Sequence, residues 1–164
     1  MMLVKPLVLS ASLFAILSLA ALPPAEAQLG KPEGLYYKSW AIVIGIEKYV
    51  VAPSIPGAIQ DAKKVAEAFR RLGFDEVIEL YDQDASSRRL QQLLNDMLPR
   101  KVGRRDRLVL VYVGHAGVMQ DSEGQDGGYL VSFDAPVNSS TKSIMVEQLK
   151  EFARRSASMH SFLI

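Results

Sequence analysis

The sequence contains no cysteine. That absence removes disulfide frameworks, thiolate zinc sites and iron–sulfur clusters together. It also leaves the chain without a thiol nucleophile. An excess of charge of one sign is missing too, since 19 Lys and Arg stand against 18 Asp and Glu and leave a formal +1 over 164 residues. A balanced chain offers no basic footprint for a phosphate backbone, so nucleic acid is not an expected partner. His160 has neither a second His nor a carboxylate at metal spacing and reads as a surface residue; no metal or other cofactor is expected. Half the residues are apolar, 23% are charged and Gly and Pro are ordinary in number. Those values exclude a disordered or fibrous chain, and the length suits one domain.

What is present begins with a targeting profile. Lys5 precedes an apolar stretch from Leu7 to Leu22, followed by Pro23-Pro24 and Ala25-Glu26-Ala27. Small residues at Ala25 and Ala27 are what a signal peptidase reads, so residues 1–27 are expected to be a signal peptide and Gln28 the new amino terminus of an exported protein. The stretch falls just short of the roughly 20 residues that cross a bilayer core, so the alternative is an uncleaved anchor, the single route to a membrane. Residues 28–37 read as a leader broken by Gly30, Pro32 and Gly34.

From Lys38 onward strands and helices alternate. Trp40 to Ile46 is a continuous apolar run rich in β-branched residues, the pattern of a strand buried on both faces. Ile59, Ala62, Val65, Ala66, Phe69 and Leu72 recur at helical steps up to a left-handed cap at Gly73. Val77 to Tyr81 predicts a second strand. Ser86 or Ser87 then predicts the cap of a helix carrying Leu90, Leu93, Leu94, Met97 and Leu98 inward until Pro99 stops it. Leu108 to Val113 predicts a third strand, introduced by Arg104, Arg105, Asp106 and Arg107, read as a solvated surface loop. Gly117 to Gly128 reads as a polar loop, with strand-like residues returning from Tyr129 to Phe133. A further helix buries Val146, Leu149, Phe152 and Ala153, and Ser161 to Ile164 opens another strand, inside which the sequence stops. The expectation is an α/β domain with a mostly parallel sheet, incomplete at the C-terminus.

In open α/β sheets chemistry gathers beyond the carboxyl ends of the strands. Gly114-His115-Ala116-Gly117 stands there, where small neighbours leave an imidazole open to act as general acid or base. The segment Tyr112-Val-Gly-His-Ala116 resembles the Tyr-Ser-Gly-His-Gly segment of caspase-like cysteine peptidases, the metacaspase and bacterial branch in particular. Ala41-Ile-Val-Ile-Gly-Ile-Glu-Lys-Tyr49 is similar to that family's first strand and following loop. Ile55-Pro-Gly-Ala-Ile-Gln-Asp-Ala62 resembles its first helix opening, and Leu72-Gly-Phe74, Asp82, Gly128-Tyr-Leu130 and Asp134-Ala135 agree in order. The likeness spans roughly residues 38–164.

The resemblance implies a caspase-like three-layer sandwich over residues 38–164, the N-terminal part of a catalytic domain. It also implies a cysteine endopeptidase acting on a peptide or protein substrate through a Cys–His dyad. His115 would be the catalytic base and Ala116 would give a backbone N–H to the oxyanion site. The family's cysteine follows the strand that Ser161 to Ile164 resembles, so the nucleophile is expected beyond the given chain. Ile55 occupies the place of an Arg that binds acidic residues in animal caspases, which disfavours cleavage after Asp. Asp61 could orient or cap the first helix. Two other readings stand beside this one. A non-catalytic caspase-fold binding module or pseudoenzyme fragment fits the lack of cysteine, and an α/β-hydrolase would need a Gly-x-Ser-x-Gly elbow that the sequence lacks.

Overall fold

The computed structural model describes residues 35–120 and 124–164. The expected signal peptide, its cleavage site and the leader as far as residue 34 lie outside the described residues. Four parallel strands form the main sheet in the order β2 (Glu76–Tyr81), β1 (Ser39–Gly45), β3 (Arg107–Val113) and β7 (His160–Leu163). Every residue of β1 is buried, as its unbroken apolar run requires of a strand covered on both sides.

Alternation divides that burial between two faces. Trp40, Ile42 and Ile44 of β1, with Leu108 and Leu110 of β3, face a core closed by α2 (Ser87–Gln92) and α4 (Val146–Arg155), which insert Leu90, Leu149 and Phe152. Val43 faces the other way, against Ala62 and Ala66 of α1 (Ala58–Arg71). The result is the three-layer α/β sandwich expected from the sequence. Alanines on α1 let the helix lie close to the sheet, and Gly45 completes the fit: a Cβ there would stand 2.6 Å from that of Ala62. Gly73 caps α1 with φ of 74°, where a left-handed residue was expected.

Several local expectations need correction. Pro99 does not end its helix. Leu93–Met97 widens into a π-type stretch and α3 (Leu98–Lys101) continues beyond it. A proline ring crowds the carbonyl four residues back and supplies no N–H, and a wider turn ahead of Pro99 relieves that crowding. Neither Ser86 nor Ser87 caps α2 with its side chain; the Ser87 N–H donates instead to Oδ1 of Asp134, 2.7 Å away. A carboxylate from a distant loop thus meets the positive helix end.

The charged stretch before β3 is not a bland surface loop either. Asp106 is 3% exposed. Its carboxylate accepts from Trp40 Nε1 at 2.9 Å, Gly103 N at 2.8 Å and Lys38 N at 3.0 Å. A buried charge with three donors fixes the entry to both central strands. Arg107 lies 4.4 Å from the Phe74 ring centre and 5.1 Å from that of Tyr36.

The expected polar loop over 117–128 is largely a hairpin. β4 (Ala116–Gln120) pairs antiparallel with β5 (Asp126–Leu130), which pairs in turn with β6 (Ile144–Met145). No apolar alternation marks the hairpin in the sequence, because β4 is mostly exposed and β5 carries two adjacent glycines. β5 ends at Leu130, and beyond it Val131 N still donates to His115 O at 2.9 Å while Phe133 N turns to Ala85 O at 3.1 Å.

Candidate active site

His115 lies in the two-residue link between the carboxyl end of β3 and the start of β4, as the sequence placed it. The ring is half-buried, and three elements position it. The β1–α1 loop brings the Pro53 carbonyl oxygen to 2.9 Å from Nε2. A carbonyl only accepts, so Nε2 carries the proton in this contact and Nδ1 of the neutral ring is the basic nitrogen. Pro53 carries no signal in the sequence, because the contact uses a backbone atom that any residue there would carry.

That loop is itself held in place. Asp82 Oδ1 accepts from Glu47 N at 2.8 Å and Lys48 N at 3.0 Å, and Glu47 Oε2 accepts from Gly57 N at 3.1 Å at the entry to α1. Asp82 adopts a positive φ of 42° to make this reach. Val50 N donates to Phe133 O at 3.0 Å and Ile55 N to Glu47 O at 2.8 Å. Glu47 therefore takes the position at the α1 entry that the sequence offered to Asp61, whose exposed side chain pairs with Lys64.

Two tyrosines grip the His115 backbone. Tyr49 Oη accepts from His115 N at 2.8 Å, and Tyr112 Oη donates towards His115 O at 2.9 Å and Val131 O at 2.7 Å. The two hydroxyls stand 3.4 Å apart, and the rings of Tyr49 and His115 are 5.0 Å apart between centres. Burial pushes the Tyr112 phenol far above its ordinary range, with the Tyr49 hydroxyl adding to the effect. Burial also raises Tyr49, while the neighbouring Tyr112 hydroxyl and His115 N–H pull it the other way. Gly114 must lack a side chain here, since a Cβ would fall 2.5 Å from both hydroxyl oxygens.

Ala116 pairs in register with Leu130. The bond from Val131 N to His115 O, 2.9 Å, marks 115 and 131 as a hydrogen-bonded pair. Ala116 and Leu130 then form a pair of the other kind, and the Ala116 N–H points away from β5. Ala116, the residue after His115, is exposed. Among the described residues no group of three or more His, Asp or Glu side chains gathers as a metal cluster. Neither Ile55 nor Asp61 shares a hydrogen bond with His115.

A parallel sheet covered by helices on both faces, with a lone histidine at the tip of the strand beside β1, defines a caspase-like α/β domain. The family model for the caspase domain, Peptidase C14, matches residues 38–163. The chain belongs to that family. Among solved structures it is similar to protein GSU0716 from Geobacter sulfurreducens, with a TM-score of 0.61 and 17% identity. The likeness covers 77% of this chain and 48% of that one, so the chain spans about half the length of the structure it matches. No curated protein matches the chain.

Proposed function

We propose that residues 38–164 are the histidine-bearing part of a Cys–His endopeptidase, with His115 as general base and a thiol supplied from outside these 164 residues. The carrying observation is the 2.9 Å contact between His115 Nε2 and Pro53 O, which leaves Nδ1 as the proton acceptor. Nδ1 takes the thiol proton and the thiolate attacks the peptide carbonyl carbon. The Ala116 N–H donates to the resulting oxyanion. The imidazolium then protonates the departing amine, and water, deprotonated by the same ring, hydrolyses the thioester. Ile55, with no charge to offer, argues against cleavage after acidic residues. The N-terminal segment adds export, with cleavage after Ala27.

The absence of cysteine favours a second reading, a caspase-fold module that binds partners without hydrolysing them. One comparison separates the two. The thiol-bearing full-length polypeptide should hydrolyse members of a broad peptide library, and His115→Ala should slow it by at least about 10² with its circular dichroism unchanged. Turnover within about tenfold of the unmodified protein would remove His115 as the base. No turnover by the unmodified protein would favour the binding module.

A further inference from the structure

We propose that the groove between β2 and the α2–α3 helix binds an extended acidic segment of a partner protein, which adds as a strand to the outer edge of β2. β2 is a terminal strand of its sheet, and no strand pairs with its outer side among the described residues. Ile78 and Leu80 of β2 form one wall of a groove of about 400 Å³, and Leu93 and Met97 from the π-type stretch form the other. The sheet edge supplies unpaired backbone groups, and the walls supply apolar contact.

The rim is basic. Arg89 stands at one end of the helical stripe, and Arg100 and Lys101 at the other. Neither Arg89 nor Lys101 holds an ion pair among the described residues. Arg100 reaches Asp96 at 3.7 Å, but both side chains are more than half exposed, so the pair holds it weakly. Between Arg88 and Arg107 seven basic residues face two acidic ones, although the whole chain is nearly neutral. The chain's total charge does not reveal this cluster, because the opposite charges lie elsewhere along the chain.

Spacing defines the ligand further. Arg89 and Arg100 are separated by about 16 Å at the helical rise of 1.5 Å per residue. That distance matches about five residues of extended chain at 3.3 Å each. A strand laid along β2 turns every second side chain to the same face. The recognised segment therefore carries apolar residues at alternate positions between two acidic ends. A nucleic acid would meet the cations but leave the Ile, Leu and Met walls unused.

The probe is a fluorescent peptide, Asp-Glu-Leu-Ser-Val-Thr-Leu-Asp-Glu with blocked ends, titrated with the chain and read by anisotropy. Saturable binding is expected, weakened at least about tenfold when Arg89→Glu and Lys101→Glu are combined, and weakened again at high salt. Both substitutions are exposed and should leave circular dichroism unchanged. Amide exchange of β2 should slow when the peptide is bound. The proposal is overturned by no saturable binding, by equal affinity for the same peptide with Lys-Arg ends, by indifference to the double substitution, or by double-stranded DNA competing as well as the acidic peptide. Nothing in this test depends on His115, so it stands or falls apart from the peptidase reading.

Discussion

The Tyr49 hydroxyl accepts the backbone N–H of His115 at 2.8 Å, so a side chain from the loop after β1 does what a neighbouring strand would otherwise do for that peptide group. Its own proton faces the Tyr112 hydroxyl, whose proton faces the carbonyls of His115 and Val131. The donors run in one direction and end at the backbone of the same hairpin.

Tyr112→Phe should therefore lower stability by about 1–3 kcal/mol, the cost of leaving buried acceptors without their donor. Urea unfolding followed by tryptophan fluorescence would measure it, with Trp40 as the reporter. A loss under about 0.5 kcal/mol would show that water replaces the hydroxyl freely.

Gly114→Ala places a methyl group against both tyrosine oxygens. The expected cost is about 1–3 kcal/mol from overpacking, with the His115 imidazole displaced from Pro53. Nitrogen-15 shifts of the His115 ring should show mixed tautomers in the variant and a proton held on Nε2 in the parent sequence. Identical spectra would contradict the grip described above.

Alkaline pH should destabilise the fold. Burial raises Tyr112 and Tyr49 above the ordinary 10.0. Both phenols then stay protonated in the folded state at pH values where the unfolded chain already loses those protons. Their contribution is complete below pH 10 and falls as the pH rises above it. The urea midpoint measured across that range should decline, and Tyr112→Phe should flatten the decline. An unchanged slope in the variant would place the titration elsewhere.

Asp106→Asn exchanges an acceptor oxygen for a donor amide in a cluster that already supplies three N–H groups. A loss of about 3 kcal/mol is expected, measured by thermal and urea unfolding. Full stability would mean that the amide finds a compatible orientation.

Mass spectrometry of protein made in its native host should find an amino terminus at Gln28. An intact Met1 on cytoplasmic material would contradict export.

The sheet was legible because its strands are written as apolar runs and its helices as three- and four-residue steps. Trp40 to Ile46 and Leu108 to Val113 needed no other information. His115 was legible by position, at the end of such a run. The hydrogen-bonding roles of Asp106 and Asp82 were not, because a carboxylate that collects backbone N–H groups from distant segments looks on paper like one that faces water. The same holds for the part Asp134 plays as acceptor of the Ser87 N–H, which lies far away in sequence. The β4–β5 hairpin was hidden by composition: glycines and exposed side chains leave no alternation to read.

Among the described residues, the first strand made is a central strand of the sheet. Ser39 of β1 meets Arg107 of β3, 68 residues later, while β2 can close on β1 much sooner. During synthesis the Trp40 to Ile46 segment therefore waits with one edge bare until most of the domain has emerged. Folding is committed only when β3 arrives, and that long closure makes it slow relative to a domain of local contacts. The hazard in this interval is self-association through β1, a β-branched apolar strand without a guarding charge between Trp40 and Ile46. Chaperone demand should accordingly begin early in translation and persist past Val113, because β3 keeps a bare edge until β7 is made.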